Sequence, residues 1–217
     1  MKCLAIVVAA TLGLGSTAGF AATLSVGSWH VWAGSQALTK GTCTVTAASS
    51  IVDTYVQESS PGTSSGSAAT ALVRATTGSR DWMLVRFDLS GCALPTTAGA
   101  DSATMKLVVK TTATAARTLT VTPVLSTWSG TLTWTQAQTL TYGSGATTTF
   151  STGTTNGATL SVPVTIDVDA LIKNPSASYG WLITDGGSPA GSTTTTFNSV
   201  DAGPAANRPQ LVVNYEK

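Results

Sequence analysis

Charged side chains are scarce in this sequence. Aspartate, glutamate, lysine and arginine make up 10% of the 217 residues, and the formal net charge is +1, whereas globular proteins are typically about 25% charged. The near-neutral balance excludes the basic surface that nucleic-acid binders use, so no nucleic-acid partner is expected. Because 42% of the residues are hydrophobic, the chain is not disordered, and its length predicts one domain, or one domain with a tail.

Histidine occurs once, as His30, which excludes a histidine-based metal cluster or a Ser-His-Asp set within the domain. The glycine-rich segment DGGSPAG lacks the lysine and the following helix of a phosphate-binding loop. Asp167 and Asp169 are two positions apart and are expected to share a strand face, at a strand end, rather than to form the acid–base pair of a glycosidase. We therefore predict a protein that is not an enzyme and needs no cofactor.

The first 21 residues have the pattern of a signal peptide. Lys2 precedes the apolar run LAIVVAATLGLG, which is too short to span a bilayer, and small residues allow cleavage after Ala21. No later segment has the length and apolarity of a membrane span. The mature protein is therefore expected to be secreted, extracellular or at the cell surface. Its two remaining cysteines, Cys43 and Cys92, predict one disulfide, with two free thiols as the alternative.

Residues 22–44 form an apolar tail or extra strand that contains SVGSWHVWAG. In one interpretation it packs on its own domain, with Cys43 at its end. In the other it is donated to the open sheet edge of a second subunit and so drives self-association; a flexible tail is the least favoured alternative. The residues expected to contact the partner or the domain are Leu24, Val26, Trp29 and Trp32.

Short alternating segments dominate residues 45–217, and the only helical pattern is one turn at DVDALIK. The strand pattern occurs in SSIVDTYV, DWMLVRFDL, TMKLVVK, RTLTVTPVL, LSVPVTIDV, YGWLITD, TTTTFNSV and PQLVVNYEK. We predict an all-β fold, a β-sandwich or jelly roll. Alternation within two of these segments predicts the core residues Met83, Val85, Phe87, Leu89, Met105, Leu107 and Val109, and it places Trp82, Arg86 and Lys106 on the opposite faces.

The order of several motifs resembles one family. VDTYV, LVRFDLS, SATMKLVV, WSGTLTW, IDVDALI, YGWLI and FNSVDAGPAANRPQLVVNY follow one another as in the DNRLRE-type domain, which is similar to family-96 carbohydrate-binding modules. The resemblance covers residues 45–217. It implies an extracellular, non-catalytic jelly-roll β-sandwich, and some such modules bind acidic polysaccharides such as alginate. The acidic residue that the family has after the first Trp of WSGTLTW is replaced here by Ser129 and Gly130.

A polysaccharide or cell-surface glycan is the expected partner. Trp82, Arg86 and Lys106 are its candidate ligands, on strands that could be near neighbours, because aromatic rings hold sugars and arginine binds carboxylates. Arg86 could instead pair with Asp88, and a loop could cover Trp82.

The other tryptophans of the domain, Trp128, Trp134 and Trp181, lie in predicted strands and are expected in the core. A structural calcium ion is the remaining cofactor hypothesis, to which we do not commit. Its candidate ligands are Asp53, Asp185 and Asp201.

Three functions follow. The favoured one is a secreted, non-catalytic carbohydrate-binding or cell-surface module, and the second is a subunit of an extracellular filament or matrix built by strand donation. The least favoured is a polysaccharide hydrolase or lyase.

Overall fold

A computed structural model describes residues 38–145, 148–175, 179–187 and 194–217. The predicted signal peptide and the tail residues Leu24, Val26, Trp29 and Trp32 lie outside these ranges. The described chain contains two helices, α1 (Trp134–Ala137) and α2 (Thr165–Lys173). Its strands are β1 (Lys40–Val45), β2 (Ile51–Gln57), β3 (Thr70–Val73), β4 (Asp81–Phe87), β5 (Gly99–Thr111), β6 (Thr118–Pro123), β7 (Thr148–Ser151), β8 (Thr159–Pro163), β9 (Trp181–Asp185), β10 (Thr195–Asn198) and β11 (Gln210–Glu216).

The strands form two antiparallel sheets, which confirms the predicted all-β sandwich. The six-stranded sheet has the order β1-β11-β5-β10-β3, with β8 paired to β5 as well, and the five-stranded sheet has the order β2-β4-β9-β6-β7. Strand β4 belongs to the five-stranded sheet, and β5, the next strand along the chain, belongs to the six-stranded sheet. The chain therefore crosses from one layer to the other between them. Within the described residues, no helix is long and apolar enough to cross a bilayer.

The main core lies between the sheets and is built from the predicted alternation. Met83, Val85 and Phe87 of β4 face Met105, Leu107 and Val109 of β5 across it, and all six are buried. Leu89, which follows β4, is only partly buried against the same core. Alternate side chains of a strand point to opposite faces, so burying one set of each strand leaves the other set facing outward.

The segment after β8 confirms the helical pattern at DVDALIK but differs from the prediction for its two aspartates. Asp167 and Asp169 lie in the nine-residue helix α2 and not on a strand face. Val168 and Ile172 are one helical turn apart and fill the core, a spacing that favours a helix over the strand expected for LSVPVTIDV. The carboxylate of Asp167 accepts a hydrogen bond from Trp181 Nε1 at 2.6 Å, and Asp169 accepts one from the backbone N–H of Ala100 at 3.1 Å. Both carboxylates therefore attach α2 to the sheets.

The outer face of the five-stranded sheet is covered by a second apolar cluster. The residues that form it, Val56, Leu84, Val124, Trp128, Leu132, Trp134, Ala137 and Leu182, come from the sheet and from the segment 124–137. Trp128 and Trp134 are buried as predicted, but they lie in this covering segment and in α1 rather than in strands. Thr133 caps α1, where its hydroxyl accepts from the backbone N–H of Gln136. We call this segment and the side chains beneath it the cover.

The loop between β2 and β3 packs on the cover. The carbonyl of Pro61 accepts from the backbone N–H of Thr135 at 3.1 Å, and the Ser64 hydroxyl donates to the carbonyl of Gly130 at 3.2 Å. A Cβ built on Gly66 would lie 1.9 Å from the Gly130 oxygen. The two backbones meet too closely here for a side chain at position 66.

Cys43 and Cys92 form the predicted disulfide, with their Cα atoms 5.7 Å apart. Cys43 lies in β1, at the edge of the six-stranded sheet, and Cys92 lies in the 3-10 turn between β4 and β5. The bond therefore ties an edge strand to the connection that joins the two sheets.

Candidate glycan-binding site

The structure separates the three predicted glycan ligands. Trp82 and Arg86 lie on β4 in the five-stranded sheet, whereas Lys106 lies on β5 in the six-stranded sheet. All three face away from the main core, so Lys106 points out of the opposite side of the sandwich from Arg86. The prediction that these strands are neighbours is wrong, and a single platform that includes Lys106 does not exist.

Trp82 is half-buried in the cover. Its ring centroid lies 4.5 Å from that of Trp134, and the guanidinium of Arg80 lies 5.3 Å from the Trp134 ring. Arg80 also pairs with Glu58, with an Nη2–Oε1 distance of 2.6 Å. This pairing holds the pKa of Glu58 down, at about 2. At neutral pH the charge of Arg80 is therefore matched by its own carboxylate, and Trp82 packs against a neighbouring ring.

Arg86 is placed differently, at the margin of the cover. Its guanidinium carbon lies 5.5 Å from the centroid of the Trp128 ring, a cation–π contact. No described carboxylate lies within ion-pair distance of Arg86. The residues outside the described ranges include no Asp or Glu. The alternative in which Arg86 forms an ion pair with Asp88 is therefore not observed.

Arg86 lines a cleft of about 340 Å³. The other lining residues are Ser49, Ser50, Val52, Asp88, Pro175 and Tyr179. The cleft combines one guanidinium, one carboxylate, two serine hydroxyls and a tyrosine ring. Such a set offers donors for a carboxylate, acceptors for sugar hydroxyls and an aromatic surface beside them.

The walls of the cleft are held by hydrogen bonds that the ligand would not have to break. Trp128 Nε1 donates to the carbonyl of Tyr179 at 2.6 Å, and the backbone N–H of Tyr179 donates to the carbonyl of Val124 at 3.0 Å. Gly180 follows with φ +86°, and a Cβ there would lie 2.3 Å from the Val85 carbonyl oxygen. Only glycine allows this close approach behind Arg86.

Asp88 is ionised within the cleft. The backbone N–H of Ser90 donates to its Oδ1 at 2.8 Å, and this bond, the Ser90 hydroxyl and the charge of Arg86 lower the pKa of the Asp88 carboxyl. An ionised carboxylate accepts hydrogen bonds and donates none. Asp88 therefore suits a ligand hydroxyl, while Arg86 suits a ligand anion.

The three calcium candidates are not brought together. Asp185 forms a buried ion pair with Arg117, whose Nε donates to Oδ2 at 2.7 Å and whose Nη2 donates to Oδ1 at 2.9 Å. Both carboxylate oxygens of Asp185 therefore accept hydrogen bonds from Arg117. Within the described ranges, no group of three His, Cys, Asp or Glu side chains is arranged to hold a metal ion.

Asp53 is a buried carboxyl on β2. The backbone N–H of Val200 donates to its Oδ2 at 2.8 Å, and desolvation by burial, opposed by this bond, raises the pKa of Asp53 to about 7. The charge of Asp201 adds to the increase. Because β2 belongs to the five-stranded sheet and Val200 lies in the turn just after β10 of the six-stranded sheet, this bond links the two layers.

Sequence reasoning identified Arg86 but missed the rest of its cleft. Ser49 and Ser50 precede β2, and Tyr179 precedes β9. The pairing of β4 with both β2 and β9 brings these segments to Arg86. The available sequence signal was the pair Tyr179-Gly180 at the start of a strand, since glycine at such a position often marks a close backbone approach.

Lectin domains are among the proteins that use a double-sheet β-sandwich. The sequence profile of carbohydrate-binding module family 96 matches residues 44–215. The chain belongs to this family of binding modules. A search among curated proteins found no match.

Proposed function

We propose that this protein is a secreted, non-catalytic carbohydrate-binding module that holds an acidic polysaccharide in the Arg86 cleft. The observation that carries the proposal is the position of Arg86, whose guanidinium lies on the Trp128 ring at the edge of a cleft with no described carboxylate within ion-pair distance. A carboxylate ligand would supply that partner through two parallel hydrogen bonds. The disulfide supports secretion, because such bonds persist in oxidising compartments.

The division of labour within the cleft fits a uronic acid. Arg86 would bind the carboxylate of one sugar, and Asp88 and the two serines would bind the hydroxyls of that sugar. The aromatic ring of Tyr179 would lie against the apolar face of the sugar ring. A neutral sugar would contact Asp88, the serines and Tyr179 but would offer no carboxylate to Arg86. The cleft should therefore favour a polyuronate such as alginate over a neutral glucan.

The test is calorimetric titration of the full-length chain with alginate oligomers, with oligomers of a neutral glucan as the comparison. Replacing Arg86→Gln removes a charge-assisted contact, which is worth roughly 1.5–3 kcal/mol and thus about tenfold or more in Kd. The matched control is Arg80→Gln. Arg80 also stacks on a tryptophan of the cover, but its charge is already paired with Glu58.

Equal binding by both variants would contradict the assignment of the cleft. Binding of the neutral glucan with an affinity equal to that for alginate would contradict the acidic ligand while leaving a glycan site in place. Loss of binding in both variants alike would mean that the cover as a whole, rather than the Arg86 charge, carries the affinity.

Assembly through strand donation is a second candidate, and the position of β1 favours it. This strand is the end of the six-stranded sheet, it pairs with β11, and the Thr39–Lys217 backbone pair extends the ladder by one residue. An edge strand can accept a further strand. Size-exclusion chromatography of the chain that begins at Ala22, beside one that begins at Leu38, tests it. Oligomers that form only with the longer chain would support donation, and two monomers would exclude it.

A further inference from the structure

We propose that the outer face of the six-stranded sheet is a second binding surface for a carboxylated polysaccharide, so that one molecule bridges two polymer chains. The inference rests on the proposed function of the Arg86 cleft. It concerns the outward side chains of β5, which alternate with the core residues of that strand. They are Thr104, Lys106, Val108 and Lys110, of which Val108 is buried and the other three are partly or fully exposed.

The charges of the described residues single out this face. Five of the described cations are matched with carboxylates: Lys40, Arg74, Arg80, Arg117 and Lys173. Arg208 donates to the backbone carbonyls of Ala202 and Gly203, and the Lys217 ammonium lies 5.8 Å from the Tyr215 ring.

Lys106 and Lys110, both on β5, are left with neither an ion pair nor a ring contact among the described residues, and Arg86, in the cleft, has only its contact with the Trp128 ring. Since the residues outside the described ranges contain no acidic side chain, no carboxylate of this chain is left to neutralise Lys106 and Lys110 from there.

Lys106 lies in the middle of the sheet rather than at its edge. In the strand register it is directly opposite Gln210 of β11 on one side and Ser161 of β8 on the other. Residues that are directly opposite in an antiparallel pair project on the same face. An amide, an ammonium and a hydroxyl therefore form one row across three strands, and each of them can donate a hydrogen bond.

Lys110 extends the cationic area along the strand. It is four residues from Lys106, which corresponds to about 13 Å in a β-strand. At the other end of β5, Asp101 and Glu216 surround Lys40, with the ammonium 3.0 Å and 2.6 Å from their oxygens. The excess positive charge is therefore confined to the Lys106–Lys110 half of the face. In the other half, the charge of Lys40 is balanced by Asp101 and Glu216.

An extended acidic polysaccharide fits this surface better than a nucleic acid does. The surface has two unpaired cations among hydroxyl and amide groups, and the net charge of the chain is only +1, whereas nucleic-acid binders present many cations in one stripe. An open sheet face can contact internal residues of a polymer along its length, whereas a cleft holds fewer sugars. Because the two outer faces point in opposite directions, the two surfaces would hold different polymer chains.

The test uses the full-length chain with short and long alginate. Calorimetry with a short oligomer counts the sites, and light scattering with the long polymer measures bridging. The wild type is expected to bind two oligomers and to raise the scattering of the polymer. The double variant Lys106→Gln/Lys110→Gln and the variant Arg86→Gln should each bind one oligomer and lose the scattering increase. Lys173→Gln/Lys217→Gln, which removes the same two charges elsewhere, should behave as the wild type.

Each outcome separates the two proposals. One site that Arg86→Gln abolishes and the lysine variant leaves intact would overturn the second surface and keep the cleft. One site that depends only on Lys106 and Lys110 would overturn both bridging and the cleft. Two sites with no gain in scattering would overturn bridging alone, and the absence of any binding would overturn both proposals.

Discussion

The outer surfaces of the two sheets differ in how they meet water. On the five-stranded sheet, the outward residue Leu84 is fully buried under the cover. On the six-stranded sheet, the outward residues Thr104 and Lys106 remain partly exposed beside Ser161 and Asn214. Strand β4 is therefore buried on both faces at Leu84, whereas the outer face of β5 is buried at Val108 and partly exposed at Thr104 and Lys106. The same alternation of side chains gives a second apolar cluster in one case and a polar surface in the other.

The comparison extends to the arginines at the cover. Arg80 and Arg86 are both outward residues near β4, and each lies over a tryptophan of the cover, at 5.3 Å and 5.5 Å. Arg80 is paired with Glu58, and Arg86 lines a cleft without such a partner. The two arginines make similar contacts with a tryptophan ring but differ in charge pairing, and this difference indicates that Arg86 is the one available to an anionic ligand.

The largest expected effect is on the buried outer face. Leu84→Ala removes a side chain that is 0% exposed, and such losses cost about 3–5 kcal/mol of unfolding free energy when the cavity cannot collapse. Thr104→Ala, at an outward position of β5, should cost less than about 1 kcal/mol. Urea unfolding of both variants, followed by tryptophan fluorescence, measures the difference. Equal costs would mean that the cover contributes no more stability than an uncovered sheet face.

The next largest effect concerns the disulfide that attaches the edge strand β1 of the six-stranded sheet. The Cys43–Cys92 bond closes a loop with a sequence separation of 49 residues, and disulfides of this kind stabilise by about 2–4 kcal/mol. Cys43→Ser/Cys92→Ser should lower the unfolding free energy by that amount, as measured by denaturant midpoints. Hydrogen exchange gives the control, since the loss should be greatest for the β1–β11 amides and small for β6–β9. Uniform loss of protection would contradict a local role for the bond.

Much of the sandwich could be predicted because its strands alternate clearly. DWMLVRF and TMKLVVK give the correct core faces since both have long apolar side chains at every second position. The helical pattern at DVDALIK lies within helix α2, but the start of the helix at Thr165 was missed because Val162, Val164, Ile166 and Val168 also alternate, like a strand, through Pro163. The helical spacing of Val168 and Ile172 indicates a helix only if the preceding strand is known to end at Pro163.

The site was less predictable, because it depends on which strands become neighbours. Alternation correctly placed Arg86 and Lys106 away from the core, but it contains no information on the sheet to which a strand belongs. Tyr179 and Ser50 reach Arg86 only through the pairing of β4 with β9 and β2. The cover was equally hidden, since WSGTLTW has few apolar residues besides its tryptophans and its packing partners are distant in sequence.

A smaller, pH-dependent effect is expected where the two layers are joined at Asp53. Its pKa is about 7 in the folded protein against an ordinary value of 3.8, so the folded state retains the proton that the unfolded chain has lost. Stability should therefore fall as pH rises from about 4 to about 7, by at most about 1.4 kcal/mol per pH unit, and then level off. Asp53→Asn should remove the contribution of Asp53 to this decline, as measured by urea midpoints at several pH values, and a smaller decline of the same sign is expected from buried Asp81, whose pKa is also raised.

Asp88→Asn is the control for that measurement. The pKa of Asp88 is lowered, so the stability that its ionisation contributes is lost only as the pH falls through that lowered value. Its replacement should leave the pH profile between pH 5 and 8 unchanged in shape. A decline that persists undiminished in Asp53→Asn would assign the titration to another group.

The smallest effect is expected on the uncovered sheet, where side-chain hydrogen bonds replace an apolar cover. Asn214 accepts from the Thr42 hydroxyl at 2.7 Å and donates to the Ser102 hydroxyl at 2.9 Å, which links β1, β11 and β5 on their outer face. Because water competes for all of these exposed groups, Asn214→Ala should cost about 1 kcal/mol or less. A double-mutant cycle with Thr42→Val isolates the pair and should give a coupling of a few tenths of a kcal/mol. A coupling free energy as large as the cost of Leu84→Ala would contradict this expectation. It would mean that the polar hydrogen bonds stabilise the outer face of the six-stranded sheet as strongly as apolar burial stabilises that of the five-stranded sheet.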